Sequence, residues 1–434
     1  MLLGLSVGIE QRLVFSWYVH IIRYGASGYN RFKMCYLLTM NLYYPSIFLL
    51  LLFGILNPVG GNKIDFFVGY FLFFLTAFYI FLPNNFDKLR RYAIWVVLAS
   101  FIVSSFATSD DLRGMLGRDL PLYTYNNDPG VMLETYQLME NGTGYYDAFA
   151  FSQKGRFGMQ IVPADIWGWR LPTLFEIWKV LPGKSGLNIY LLYLVLACSF
   201  FYCSYLLSRR YLPEKLATIP SYLVFPYLHF AARDQMLLET EWWSVIVFFI
   251  AVFFTIRRRF VLATLLFSLT VMIREVYILP LGLMFIYSIM KRRDLIPVFL
   301  IPLFAFWVIF LFHIGFVSRY IDVWGTIFSP RVIANGFFFV QQTLAFASWE
   351  YLLFAFRPFW WFLVAALAGC WLIYKRFDKT EAWLLLLSFL PFPIAFLKFG
   401  TVPYNDYWGI MYMPIVLVLA PIALGNLTKQ STKA

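Results

Sequence analysis

Apolar residues run along this chain in blocks of about 17–20, separated by short clusters of arginine, lysine and proline, from Leu37 to Leu424. Each block is long enough to cross a hydrocarbon core of about 30 Å as a helix. The blocks fall at 38–56, 66–82, 92–107, 188–207, 217–231, 243–256, 260–273, 276–290, 295–313, 351–373, 381–397 and 406–424. Ile189–Leu206 and Trp383–Leu397 are apolar on nearly every face, whereas a membrane β-barrel shows short alternating segments. The expected fold is therefore all-α, a polytopic transmembrane helical bundle of about twelve spans. Arg274 and Glu275 divide 260–273 from 276–290, and this stretch reads either as two short spans or as one bent or re-entrant element.

The polar clusters set the expected topology. Lys88/Arg90/Arg91, Arg209/Arg210/Lys215, Arg257/Arg258/Arg259, Lys291/Arg292/Arg293 and Lys375/Arg376/Lys379 occupy every second loop. Cationic loops stay on the cytoplasmic side, which puts both termini there too. Three regions follow: 1–107, a cytoplasmic segment and three spans; 108–187, a long exterior loop; and 188–434, a helical bundle with a cytoplasmic C-terminus. Met1–Lys33 has scattered arginines and no compact apolar core before a small-residue cleavage site, so it reads as cytoplasmic or interfacial.

Composition agrees with lipid as the solvent, since 61% of residues are hydrophobic and 13% charged, against about 45–50% and 25% in soluble domains. The net charge of +12 is largely the topology signal, with anionic lipid headgroups as its natural partner and no case for nucleic acid. Cys35, Cys198, Cys203 and Cys370 lie in or beside apolar runs, with neither a disulfide framework nor metal-ligand spacing. His20, His229 and His313 are far apart. No Walker loop or dinucleotide-binding glycine motif is present, which argues against a primary pump and against a cytosolic nucleotide-sugar enzyme.

Long loops usually have a functional reason, and 108–187 is the long one. Within it, Pro129–Asn141 and Ile166–Val180 carry helical spacing and are expected to lie on the membrane face. Asp128 before Pro129 is a favoured helix start, Asp at the N-cap and Pro at N1. A cap carboxylate at a membrane face also remains available to a substrate.

The run Asn127-Asp128-Pro129, Glu134-Thr135-Tyr136-Gln137-Leu138-Met139 and Gly142-Thr143-Gly144-Tyr145-Tyr146, followed by Gly168-Trp169-Arg170-Leu171-Pro172, resembles the first exterior loop of GT-C fold membrane glycosyltransferases. Val261–Tyr277, a short span ending in Arg274-Glu275, is similar to a second feature of those enzymes. Here three predicted spans precede the loop and proline follows the acid, so the subfamily stays open. The resemblance implies an inverting glycosyltransferase. It would move a sugar from a polyprenyl-phosphate donor to a lipid-linked or cell-envelope glycan on the exterior face of a bacterial or archaeal cytoplasmic membrane.

That chemistry needs a base for the acceptor hydroxyl, and Asp128 is the candidate, with Asp110 and Asp111 behind it. It also needs cations for the departing phosphate. Arginines on the exterior side of the map are Arg170, Arg233, Arg274, Arg319, Arg331 and Arg357; Arg274 beside Glu275 is either a working residue or one half of a structural pair. Arg233, Asp234, Glu239 and Glu241 put four charges between two spans, and Glu239 or Glu241 could bind sugar hydroxyls, position an arginine or hold a divalent ion. Tyr404 and Asp406 offer an aromatic ring and an acid in the last exterior loop. No cofactor is assigned with certainty, and a divalent cation is left open. The competing class is a lipid or lipid-oligosaccharide flippase, although no repeat between the two halves is evident.

Overall fold

The computed structural model describes residues 91–108, 128–154, 163, 165–181, 186–233, 236–326, 336–345, 359–397 and 406–425. The expected spans at 38–56 and 66–82, together with Met1–Lys33, His20, Cys35, Asp110, Asp111, Asp234, Arg331, Arg357 and Tyr404, lie outside them. The side chains of Arg233 and Asp406 do too.

All regular structure among the described residues is helical. In chain order the helices are α1 Ala93–Thr108, α2 Asp128–Glu140, α3 Tyr145–Gln153, α4 Thr173–Val180, α5 Leu187–Tyr211, α6 Ile219–Arg233, α7 Thr240–Ile256 and α8 Phe260–Ile273. They continue with α9 Ile278–Lys291, α10 Ile296–Val317, α11 Val323–Thr326, α12 Gly336–Ala345, α13 Phe359–Arg376, α14 Lys379–Phe389, α15 Pro391–Phe396 and α16 Met413–Leu419. Three stretches are long and apolar enough to cross a membrane: Leu187–Tyr211, Arg293–Val317 and Lys379–Phe396. On α10, Leu300, Ile301, Phe304, Trp307, Leu311 and Phe312 are all exposed. So large an apolar surface on one helix suits a lipid surround.

The helices alternate in direction, which gathers the basic turns at one end. Trp95 near the start of α1 packs 5.8 Å from Tyr202 near the end of α5. Arg210 pairs with Glu381 of α14, and Arg292 donates to the Thr380 hydroxyl at 2.9 Å. Arg258 and Phe260 line a small recess together with Arg292, Asp378 and Thr380. Arginines of three sequence clusters therefore share one face, beside the stretch Asp378–Glu381, as charge alternation predicts. At the other end, Trp243 of α7 packs 5.7 Å from Trp178 and 5.7 Å from Tyr193, and the Tyr146 hydroxyl meets His313 Nδ1 of α10 at 3.0 Å.

The stretch 260–291 resolves into two separate helices, α8 and α9. Arg274 is extended, φ −143° and ψ 110°, and a 3-10 turn over Glu275–Tyr277 starts α9 back toward the basic end. Both α8 and α9 pack on α10, with Phe267 against Phe299 at 5.5 Å.

Two expectations are corrected. Ile166–Val180 is not one helix: a 3-10 turn, Ile166–Gly168, and α4 flank the extended residues around Arg170. The Asp165 carboxylate accepts from Gly168 N at 3.0 Å and closes the first turn, while Leu171, preceding Pro172, is steered away from helix. Neighbouring protein encloses α2, with Pro129, Gly130, Val131, Met132, Leu133, Thr135, Tyr136 and Met139 all buried. Finally, 406–424 is a 3-10 helix Asp406–Met411, α16, and a second 3-10 helix Ala420–Leu424. Pro414 and Pro421 each remove a backbone donor, and Gly409 is pressed so close to the Thr343 carbonyl that a Cβ would lie 1.8 Å from it. Such irregular backbone is tolerated at membrane depth when protein encloses it, and every residue of α16 is buried.

Candidate functional site

The end opposite the basic turns holds a nest of buried charge. Arg170 sits in the extended stretch between the 3-10 turn and α4, fixed by its own carbonyl, which accepts from the Tyr145 hydroxyl at 2.6 Å. Next to it, Trp169 donates its indole N–H to the Pro163 carbonyl at 3.2 Å. The Arg170 guanidinium reaches Glu241 Oε1 at 3.7 Å. Glu241 lies in the first turn of α7, where it also accepts from the Thr240 hydroxyl at 3.2 Å. Arg274, in the break between α8 and α9, places Nη2 2.9 Å from Glu241 Oε1 and Nη1 against Glu275 Oε1.

Charged side chains are almost never fully buried without partners. Here Glu241 is 0% exposed, Arg274 2%, Glu239 3%, Glu275 5% and Arg170 8%. The lattice is incompletely satisfied: Arg170 Nε, Arg274 Nε, Glu239 Oε2 and Glu275 Oε2 are buried and make no hydrogen bond. Orphaned buried polar atoms in this number call for an explanation, and a polar ligand is one.

Asp128 opens α2 at the edge of this nest, half-buried. Asp128 is the first described residue of α2, and its carboxyl stands at that end of the helix. Burial pushes its pKa above the usual carboxylate value; Glu241 adds to that push, while Arg170 and Arg274 oppose it. Glu239 is pushed up further by burial, with Glu241 beside it as the next cause. Two guanidiniums face Glu241 and Glu275, while burial disfavours the charged form of Glu239 and of Asp128.

Of the residues singled out in the sequence, Asp128, Arg170, Glu239, Glu241, Arg274 and Glu275 thus converge from four separate stretches of chain. Arg233 ends α6 and Asp406 opens its 3-10 helix, with side chains outside the described set. Arg319 is elsewhere, 4.9 Å above the Phe316 ring. Tyr407, which the sequence analysis did not single out, has its phenol within electrostatic reach of Asp128, Arg170, Glu239 and Glu241. Its place directly after Asp406 was the only hint. Among the described residues, no three His, Cys, Asp or Glu side chains are arranged to hold a metal ion.

The two arginines differ in how far they are committed. Arg274 bridges two carboxylates at contact distance, whereas Arg170 has one longer pairing; the Nε of each makes no hydrogen bond. Arg274 is thereby the more committed of the two. No protein-family model, characterised protein or solved structure matches the chain.

Proposed function

We propose that the chain is a multi-pass membrane glycosyltransferase of about twelve spans, with cytoplasmic termini, taking its sugar from a polyprenyl-phosphate carrier. The observation carrying this reading is a half-buried carboxyl, Asp128, beside a guanidinium with spare donor capacity, Arg170, at the end remote from the basic turns. Asp128 takes the acceptor hydroxyl proton as that oxygen bonds the anomeric carbon, and the bond from that carbon to the carrier phosphate breaks. Arg170 offsets the charge gathering on the leaving phosphate. The Glu239 carboxyl, with an unused oxygen, is suited to a sugar hydroxyl. The nearby half-buried Tyr407 supplies a ring for a sugar face.

The reaction is tested by supplying purified protein with polyprenyl-phosphate sugars and, separately, nucleotide sugars. Transfer from the lipid donors alone is expected; transfer from nucleotide sugars alone overturns the proposal. Within it, Arg170→Lys keeps the charge and loses the fork, so the KM for donor should rise about tenfold or more with little change in stability. An unchanged KM removes Arg170 from phosphate recognition.

Sidedness has its own test. In a background with the four native cysteines replaced, Lys154→Cys should react with an impermeant thiol reagent on intact cells, and Lys291→Cys only after permeabilisation. Both positions are exposed and lie at opposite ends of the bundle. The reverse labelling pattern inverts the topology.

A further inference from the structure

The basic end contains a cavity of about 580 Å³ that plays no part in the chemistry above. Arg210, Arg257, Arg258 and Arg259 line it, with Asp378 and Glu381 as its acids. Both acids are already engaged. Asp378 accepts from Thr380 N at 2.7 Å and Glu381 N at 3.0 Å, capping α14, and Glu381 takes Arg210 and the Tyr211 hydroxyl, the latter at 2.6 Å. Arg257, Arg258 and Arg259 are exposed and form no ion pair with a described acid, although Arg257 lies 5.9 Å over the Phe253 ring.

The turn itself argues for a purpose. Arg258 has φ +56°, a left-handed conformation that glycine or asparagine adopts more cheaply than arginine. Backbone bonds from Arg258 N to the Thr255 carbonyl (3.0 Å) and from Arg259 N to the Phe254 carbonyl (2.9 Å) hold the hairpin closed. Three consecutive guanidiniums are thus displayed on a fixed turn between α7 and α8. Beneath them Leu206, Phe253, Phe254 and Ile256 supply an apolar wall.

Guanidinium forks match the oxygens of a phosphate, and the wall matches the hydrocarbon boundary that such a group carries in a lipid. We infer that this cavity binds a phosphate group, carried by an anionic lipid headgroup or free in solution. The site is independent of sugar transfer and sits at the opposite membrane face.

The test uses the full chain in a nonionic detergent and follows its thermal midpoint against phosphatidic acid, phosphatidylcholine and inorganic phosphate. A saturable rise with phosphatidic acid and none with phosphatidylcholine is expected. Arg258→Asn with Arg259→Gln should weaken that apparent affinity about tenfold or more, the loss expected from charge-assisted hydrogen bonds. Asparagine accepts the left-handed turn, so the ligand-free midpoint should hold or rise, separating lost binding from lost folding. Lys291→Gln with Lys375→Gln removes the same charge at the same end outside the cavity, and should leave the response intact. Inorganic phosphate that stabilises alone assigns the site to a soluble phosphate, and failure of phosphate to compete with bound phosphatidic acid assigns it to the lipid. No saturable response to either probe, or an equal loss in both double variants, overturns the inference.

Discussion

Asp128→Asn is expected to lower sugar transfer by about 10²–10⁴-fold, the usual contribution of a general base, while donor binding survives. An amide fills the same space and serves equally at a helix start, so a side chain that merely supports α2 would tolerate the exchange. The helix terminus favours a negative charge by about 0.3–1 kcal/mol, and burial disfavours it, so the two effects on stability oppose each other. Burial favours the protonated carboxyl in the folded protein. The stability Asp128 contributes is then fully present below its unfolded pKa and is lost as pH rises through the higher folded value. Activity runs the other way, rising with pH through that same value as the base ionises. A purified variant that folds normally, binds donor and transfers at the wild-type rate would remove Asp128 from the mechanism.

Glu241→Gln should cost about 3–5 kcal/mol of stability, the penalty for removing one partner of a buried ion pair. Glu241 is wholly buried and faces both Arg170 and Arg274, so the amide leaves two desolvated guanidiniums sharing Glu275. Glu381→Gln at the basic end is the natural comparison. Its carboxyl is 9% exposed but its partner Arg210 is 42% exposed, so water screens one side of the pair and the loss should be smaller. Unfolding both variants in mixed micelles should separate them clearly. Equal losses would mean that Glu241 does not organise the nest.

The charges that form this nest were legible one at a time. Arg274 and Glu275 between two apolar runs, and Glu239 and Glu241 before a third, are costly in lipid unless paired. Their convergence was not legible, because it depends on α7 and α8 running antiparallel so that position 274 returns to position 241. The alternation of basic loops implied antiparallel neighbours, but not which acid would meet which arginine. Apolar periodicity misled where it could not tell lipid from protein as the burying medium: 406–424 reads as one span yet is broken around prolines. The cavity at the Arg257–Arg259 turn had no signature beyond a basic loop, since its shape comes from the distant start of α14.

The brevity of α8 and α9 bears on the bilayer itself. Each has 14 residues, about 21 Å of helix at 1.5 Å per residue, against a hydrocarbon core of about 30 Å. Where these helices meet, Arg274 and Glu275 stand roughly 9 Å short of the far headgroup plane if the basic turns sit at the near one. Lipid beside them must thin, or protein must fill the difference, and α2, α3 and α4 are stationed at that end. On the proposed function, a carrier phosphate approaching Arg170 would then travel sideways along a depressed surface, and thicker membranes would make that approach harder.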